Sequence, residues 1–450
     1  MRSKPTMIHL SAARAAQGMS LIEVMIALLI ATVLIGGMLQ IFVATKASYQ
    51  MQQGVARVQE NGRFAMQLIE RSVRMAGYMG CGNDRTRIGA YADLDSAGLT
   101  SGVNDGQGFF NHLSTTNGTV PATTPYPFHF ERPIEAYEFN QALVANAVAA
   151  VDPTAAHWTP ALPAAITGVV KGSDVIVVRY FSELSTPILY YNSDLTIASA
   201  IRVDPASPLI AASGAVTNGL FAVANCRTAD LFNATAYATG ALVGAQGTIN
   251  QWQYDATNAA GRTWFGLSSY GQSGATGVFD AELYSAKYAA FYVGIGTNGS
   301  PVLMRQELKS AFTDPTDALG APEEVAEGIE NIRIAFGIDD GTVKTDAVTT
   351  YKTVTQLLTG LTDSAVVTNP PNIAINAQLR KVLTVRISLL VRSPELSDAL
   401  TRNHTYTLLN AASPASSTIS RTITPPNDGS FRGVYETNIA LRNRIILRQN

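Results

Sequence analysis

The sequence predicts an α+β fold: a long N-terminal helix packed on an antiparallel β-sheet that carries large loop insertions. Three observations predict it. An uncharged, mainly apolar run from Val24 to Thr45 continues without proline into a helix-period pattern that reaches Val73. Several later segments alternate apolar and polar residues with the period of a strand. Between them lie stretches rich in Gly, Ala, Thr, Ser and Asn, which suit strands joined by irregular loops.

The first element is the apolar run. Residues 1–18 carry Arg2, Lys4 and Arg14 and no acid, and Lys46 closes the run behind Thr45. About 20 apolar residues span a bilayer as a helix. The basic flank comes first, so the N-terminus is expected on the cytoplasmic side of the inner membrane and the rest outside it. A cleavable signal peptide would place small residues after the apolar core. Here the small residues from Ala12 to Gly18 precede it. A plain anchor accounts for the length and the flank but not for Glu23. A carboxylate at the centre of an apolar helix costs about 2.5–3.5 kcal/mol, less near its end, and calls for a partner. Without one, the side chain would have to snorkel to the headgroups.

The second element is the continuation of that helix. Met51, Val55, Val58, Gly62, Ala65, Ile69 and Val73 recur every three or four residues and mark one face. Gln52, Gln53, Arg57, Glu60, Arg63, Glu70 and Arg71 fill most other positions, and Gly77, Gly80 and Gly82 provide the stop. One helix from about Met19 to Ala76 would be nearly 90 Å long, at ~1.5 Å per residue. Gly36-Gly37 reads equally as a flexible point, a close-packing face or a tolerated pair.

A loop-rich region follows from about Cys81 to Gly168, with an alanine-rich stretch near Ala142–Val151. "GSDVIVVRY" (Gly172–Tyr180) reads as a buried strand. A second variable region, covering 181–285, is rich in Ala, Thr, Asn and Gly. Gly294, Gly296 and Gly299 satisfy G-x-G-x-x-G, but a dinucleotide site needs a helix to begin there. Asn298-Gly299 is instead a hairpin signal, so strand, turn, strand is expected and no cofactor. Pro322-Glu323-Glu324 has the composition of a short helix's first turn. Ile332, Ile334, Phe336 and Ile338 alternate as a strand that Asp339-Asp340-Gly341 turns in solvent. Leu383, Val385, Ile387, Leu389 and Val391 form another, with Thr384, Arg386 and Ser388 on its second face. "FRGVYETNIALRNR" reads as a closing strand with a basic terminus.

Composition bounds the chemistry. The 450 residues are 46% hydrophobic and only 15% charged, which suits a secreted or surface-exposed chain. The net charge of −2 supplies no basic field for nucleic acid. Cys81 and Cys226 are too few for a thiolate zinc site. Composition leaves one disulfide and two unrelated buried thiols level, and export favours the disulfide. His112, His129, His157 and His404 stand apart, without H-E-x-x-H or a second ligand at metal spacing. No G-x-S-x-G elbow occurs. No catalytic, cofactor or metal residue is therefore assigned. The aromatic clusters Trp252–Tyr254 and Trp264–Tyr270 read as core rather than adhesive contacts.

Gly18-Met19-Ser20-Leu21-Ile22-Glu23-Val24 resembles the class III signal of type IV prepilins and pseudopilins. The resemblance implies cleavage after Gly18 by a membrane aspartyl prepilin peptidase and N-methylation of Met19. That first mature residue is usually Phe; Met is apolar and of similar reach. Cleavage creates an ammonium group at Met19, and Glu23, the fifth mature residue, is placed to neutralise it within or between subunits.

"AGYMGCG", "GSDVIVVRY", "FYVGIGTNGSPVLMRQEL", "VRISLLVRS" and "YETNIALRNR" extend this to a resemblance to the PilW family of minor pilins. The implied fold is pilin-like. Its parts are a leader at 1–18, a transmembrane and filament-core half-helix at 19–45, an amphipathic half at 46–80, and a periplasmic β-rich domain at 81–450. The implied role is a low-abundance subunit that helps initiate pilus assembly in a tip complex. Its partners would be prepilin peptidase, other minor pilins, the major pilin, the inner membrane and a possible tip adhesin. A J-type pseudopilin of type II secretion is the nearest rival. An enzyme or adhesin domain on a pilin-type anchor is the alternative of another class.

Overall fold

A computed structural model describes residues 19–83, 108–111, 126–130, 132–140, 150–191, 201–213, 216–226, 228–236, 241–244, 280–310, 312, 318–339, 347–359, 378–379, 381–396, 404–410 and 419–441. One helix, α1 (Leu21–Met75), runs for 55 residues, about 80 Å at ~1.5 Å per residue. Ser20 stands at its N-cap and Ala76 at its C-cap. Gly77 and Gly80 then adopt positive φ, which turns the chain away where a residue with a Cβ would be strained.

Two β-layers follow. The larger contains β1 (Ile134–Phe139), β2 (Val175–Tyr191), β3 (Ile201–Val203), β4 (Val216–Ala224), β5 (Thr228–Ala236), β6 (Ala241–Gly244), β7 (Glu282–Ile295), β8 (Pro301–Glu307) and β9 (Glu323–Glu327). Strands β2, β3, β6, β5, β4 and β7 pair in that order, and β7 pairs back onto β2, closing a ring of six antiparallel strands. Strands β8 and β9 extend the sheet beyond β7, and β1 extends it beyond β2. The smaller sheet contains β10 (Ile329–Ile338), then β11 (Val382–Leu396) and β12 (Ser430–Ala440), with the short strand Thr350–Lys352 on its other edge. A short helix, α2 (Val354–Leu358), lies between and opens with a capping box on Thr353 and Gln356.

The C-terminal half of α1 lies across β11 and β12. Gly54, Val58, Gly62, Ala65, Met66, Ile69 and Val73 are buried there. They join Ile332, Ile334, Phe336, Val385, Ile387, Leu389, Val391 and Ile439 in one core. The expected helix face differs at its start: Met51 is exposed and Val55 half-buried, while Gly54 takes the contact. The reason is close approach, since a Cβ at Gly54 would already lie 3.3 Å from Ser393 Oγ. At Gly62 the fit is tighter, with a Cβ placed 2.7 Å from the Tyr435 ring. Gly62→Val should therefore lift α1 off β12 and cost about 1–3 kcal/mol through overpacking. Chemical denaturation of the detergent-solubilised chain checks this; unchanged stability would contradict the close packing.

Three expectations are corrected. The acids after Pro322 form no helix: Glu323–Glu327 is the strand β9, paired with β8. Glu323 pairs with Arg305 at 2.8 Å and Glu324 accepts from the Thr297 amide at 2.7 Å, so the ladder overrides local propensity. Asp339 is buried at the end of β10 rather than in a solvated turn, and its amide donates to the Lys381 carbonyl. The second variable region holds β3 to β6 and much of the ring. The glycines of the G-x-G-x-x-G stretch close the β7–β8 hairpin, with Ile295 opposite Pro301 and Gly299 at positive φ. Gly18, the Ala142-to-Ala149 stretch, His112, both tryptophan clusters, Asp340-Gly341 and the basic terminus lie outside the described residues.

Candidate assembly site

Among the described residues, the N-terminal half of α1 packs on nothing. From Met19 to Phe42 the large apolar side chains are exposed, Leu21 by 79%. This helix is long and apolar enough to cross a membrane. Gly36 and Gly37 lie within the continuous helix, and a Cβ at either would meet nothing within 4 Å.

Glu23 sits in the first turn of α1, where the helix dipole favours a carboxylate. The amides of Glu23 and Val24 both donate to the Ser20 carbonyl, at 3.0 and 3.2 Å. Met19 lies two residues before the helix, so Met19 and Glu23 share its first end. Among the described residues no cation pairs with Glu23. In the uncleaved chain Met19 carries an uncharged peptide nitrogen.

At the other end of α1, Cys81 and Cys226 form a disulfide with Cα atoms 4.6 Å apart and 145 residues of separation. It ties the segment after the helix to the end of β4. The Gly77 amide donates to the Arg179 carbonyl of β2 at 3.1 Å, and Met79 is buried among Phe181, Ala222, Ala224 and Tyr284.

The domain holds two buried charge clusters, of which the first joins the two layers, and sequence reasoning missed both. In the first, Asp174 accepts from Arg333 Nη1 at 3.2 Å and from Arg421 Nη1 at 3.1 Å. Its oxygens also take the amides of Phe139 and Ile334, at 3.1 and 3.0 Å. Glu138 pairs with Arg333 at 2.7 Å and accepts from the Thr355 amide in α2 at 2.8 Å. Two cations and two anions thus balance where β1 and the turn before β2 meet β10 and the Arg421–Ile423 strand. Burial would raise Glu138, but Arg333 and the Thr355 amide outweigh it and hold it below its ordinary value. Burial pulls Arg421 below the usual arginine value, against Asp174.

In the second cluster Arg179 pairs with Glu135 at 2.7 Å and donates to three carbonyls, of Tyr126, Pro127 and Arg132. Its guanidinium lies over the rings of Tyr126 and Tyr288, at 4.8 and 5.4 Å. Burial would raise Glu135, yet Arg179 and then Arg132 hold it low. One signal was present in the sequence: Asp174, Arg179 and Arg333 each interrupt or bound an apolar strand run, where an unpaired charge is costly.

The histidines fall into different settings. His157 is not isolated: its Nδ1 lies 2.8 Å from Asp152 Oδ2. His404 meets Tyr406 edge-on, with ring centroids 4.6 Å apart. Among the described residues no group of three or more His, Cys, Asp or Glu side chains could hold a metal.

Among the described residues, the apolar half of α1, headed by a carboxylate, is a large unpaired surface. A family profile described as Type IV Pilus-assembly protein W matches residues 290–443, and a Prokaryotic N-terminal methylation motif matches residues 13–39. The chain thus joins a PilW domain to an N-terminal methylation motif. The PilW match starts within β7 and runs through β12, so it contains the three long strands of the smaller sheet, on two of which α1 lies. The methylation match spans Gly18, Met19 and Glu23. Most of the six-stranded ring lies outside both matches.

Among solved structures, a type IV-like pilin TTHA1219 from Thermus thermophilus aligns at 18% identity over 36% of this chain and 70% of its own. Its TM-score is 0.21, and the fold described above rests on the strand registers instead. No curated protein matches the chain.

Proposed function

We propose that this chain is a minor pilin of the type IV pilus, a low-abundance subunit that helps start assembly and takes part in a tip complex. The observation that carries the reading is a single helix with two unlike halves. One half is an exposed apolar rod behind a methylation motif; the other is locked onto the PilW domain. A rod of that kind is anchored in lipid before assembly and packs against neighbouring rods afterwards. In this reading prepilin peptidase cuts after Gly18, Met19 is N-methylated, and Glu23 neutralises the new amine. The globular part is then periplasmic until it is drawn into the filament. Its contacts are other minor pilins, the major pilin and, at the tip, an adhesin. The role is structural, not enzymatic.

Deleting the coding sequence tests this. Surface pili and twitching should fall strongly, and pili should return at least in part when retraction is also blocked. Intact pili with lost protein secretion would assign the chain to a type II pseudopilus instead.

A further inference from the structure

We propose that the Cys81–Cys226 disulfide is a solvent-reachable latch between the end of α1 and the six-stranded ring, and that a dithiol opens it without undocking α1 from the PilW domain. Three observations carry this. First, both cysteine residues are exposed, and exchange requires a thiolate to reach one of their sulfurs. Second, the bond lies at a joint. Helix residues up to Ala76 share one core with the smaller sheet and with Ile176, Val178 and Phe291 of the ring, whereas Met79 packs in a separate cluster with Phe181, Ala222 and Tyr284. Third, the helix is gripped along a long stretch, from Gly54 to Val73, whereas residues 77–83 are a short segment beside the bond.

On the PilW side, seven buried helix residues from Gly54 to Val73 interlock with β11 and β12. On the ring side, the contacts of residues 77–80 include the Gly77 amide on the Arg179 carbonyl, buried Met79, the edge contact of Tyr78 with Tyr284, and Gly80 closed against Tyr284. Arg71 and Glu183 add a pair at 3.9 Å whose side chains are mostly exposed, so solvent screens it. Opening the bond therefore loosens residues 77–83 and the end of β4 as a local unit. The Asp174 cluster still fastens the ring to β10, and α1 stays in place.

The chemistry balances with a dithiol as reductant. One of its thiolates attacks a cysteine sulfur and forms a mixed disulfide. The second displaces the remaining cysteine and closes a cyclic disulfide. Two electrons and two protons pass to Cys81 and Cys226, which become thiols.

The test is hydrogen exchange on the full-length chain in detergent, before and after dithiothreitol without denaturant. The Cys81→Ser/Cys226→Ser double variant is measured in parallel. Amides from Gly77 to Met79 and from Ala222 to Cys226 should exchange faster, on the order of tenfold or more. Amides of Val58–Val73, β11 and β12 should be unchanged. A bond that resists dithiothreitol in the folded chain overturns the proposal. So does reduction that leaves exchange unaltered, or reduction that loosens the α1–β12 contact as well. If the double variant fails to fold, the reduced native chain still decides.

Discussion

Replacing Glu23 with alanine is expected to leave cleavage after Gly18 intact while removing the subunit from filaments. In the proposed processing, cleavage falls at the membrane's cytoplasmic edge, where Met19 precedes the helix and Glu23 makes no ion pair among the described residues. Among the described residues, nothing in the uncleaved chain depends on that carboxylate. Assembly differs. The new ammonium enters a packed, water-poor helix bundle, and an unpaired charge left there costs about 3–5 kcal/mol. At ~1.4 kcal/mol per decade that is on the order of a hundredfold or more in incorporation. Immunoblots of sheared pili against whole-cell subunit measure both quantities. Normal incorporation of Glu23→Ala would remove the pairing role; Glu23→Asp separates charge from reach.

Replacing Asp174 with alanine should cause the largest loss of stability of any single change discussed. Asp174 is fully buried and accepts from two fully or nearly fully buried arginines and two backbone amides. Its removal leaves Glu138, 2.7 Å from Arg333 and 4.0 Å from Arg421, as a counter-ion that both arginines must share. Breaking a buried pair from one side costs about 3–5 kcal/mol, and two amides lose their acceptor as well. A chain of ordinary marginal stability, about 5–15 kcal/mol, would be largely unfolded or degraded in the cell. Accumulation and thermal unfolding of the detergent-solubilised chain check this. A loss below about 1 kcal/mol would contradict the account, since an exposed pair is worth no more. The same cluster ties the PilW domain to β1 and the turn before β2, outside the matched segment. Residues 290–443 alone should therefore fold poorly.

The parts of the fold that were legible in the sequence are those with a local period. The α1 face from Val58 to Val73 repeats every three or four residues because one side meets a sheet. Strands β10 and β11 alternate clearly enough to place, and Asn298-Gly299 marked the β7–β8 turn. Misses occurred where tertiary contacts override local chemistry. Glu323 and Glu324 have helix-start composition, but Arg305 and the Thr297 amide hold them in an edge strand. The ring strands β3 to β6 are short or built from Ala, Thr, Asn and Gly, with little alternation to read. Their pairing is also closed by β7, which is distant in sequence. The Asp174 cluster joins positions 138, 174, 333 and 421, and no local pattern reports a contact across such distances. At the candidate assembly site the reverse holds. Gly18, Met19 and Glu23 fall within one short motif, so the sequence displays them even though Gly18 lies outside the described residues.

The central claim is that this helix is a processed pilin rod rather than a permanent anchor. Mass spectrometry of the N-terminal peptide of the mature chain tests it most directly. The account predicts a chain that begins at Met19 and carries an N-methyl group. An intact leader, or cleavage behind the apolar run, would contradict it.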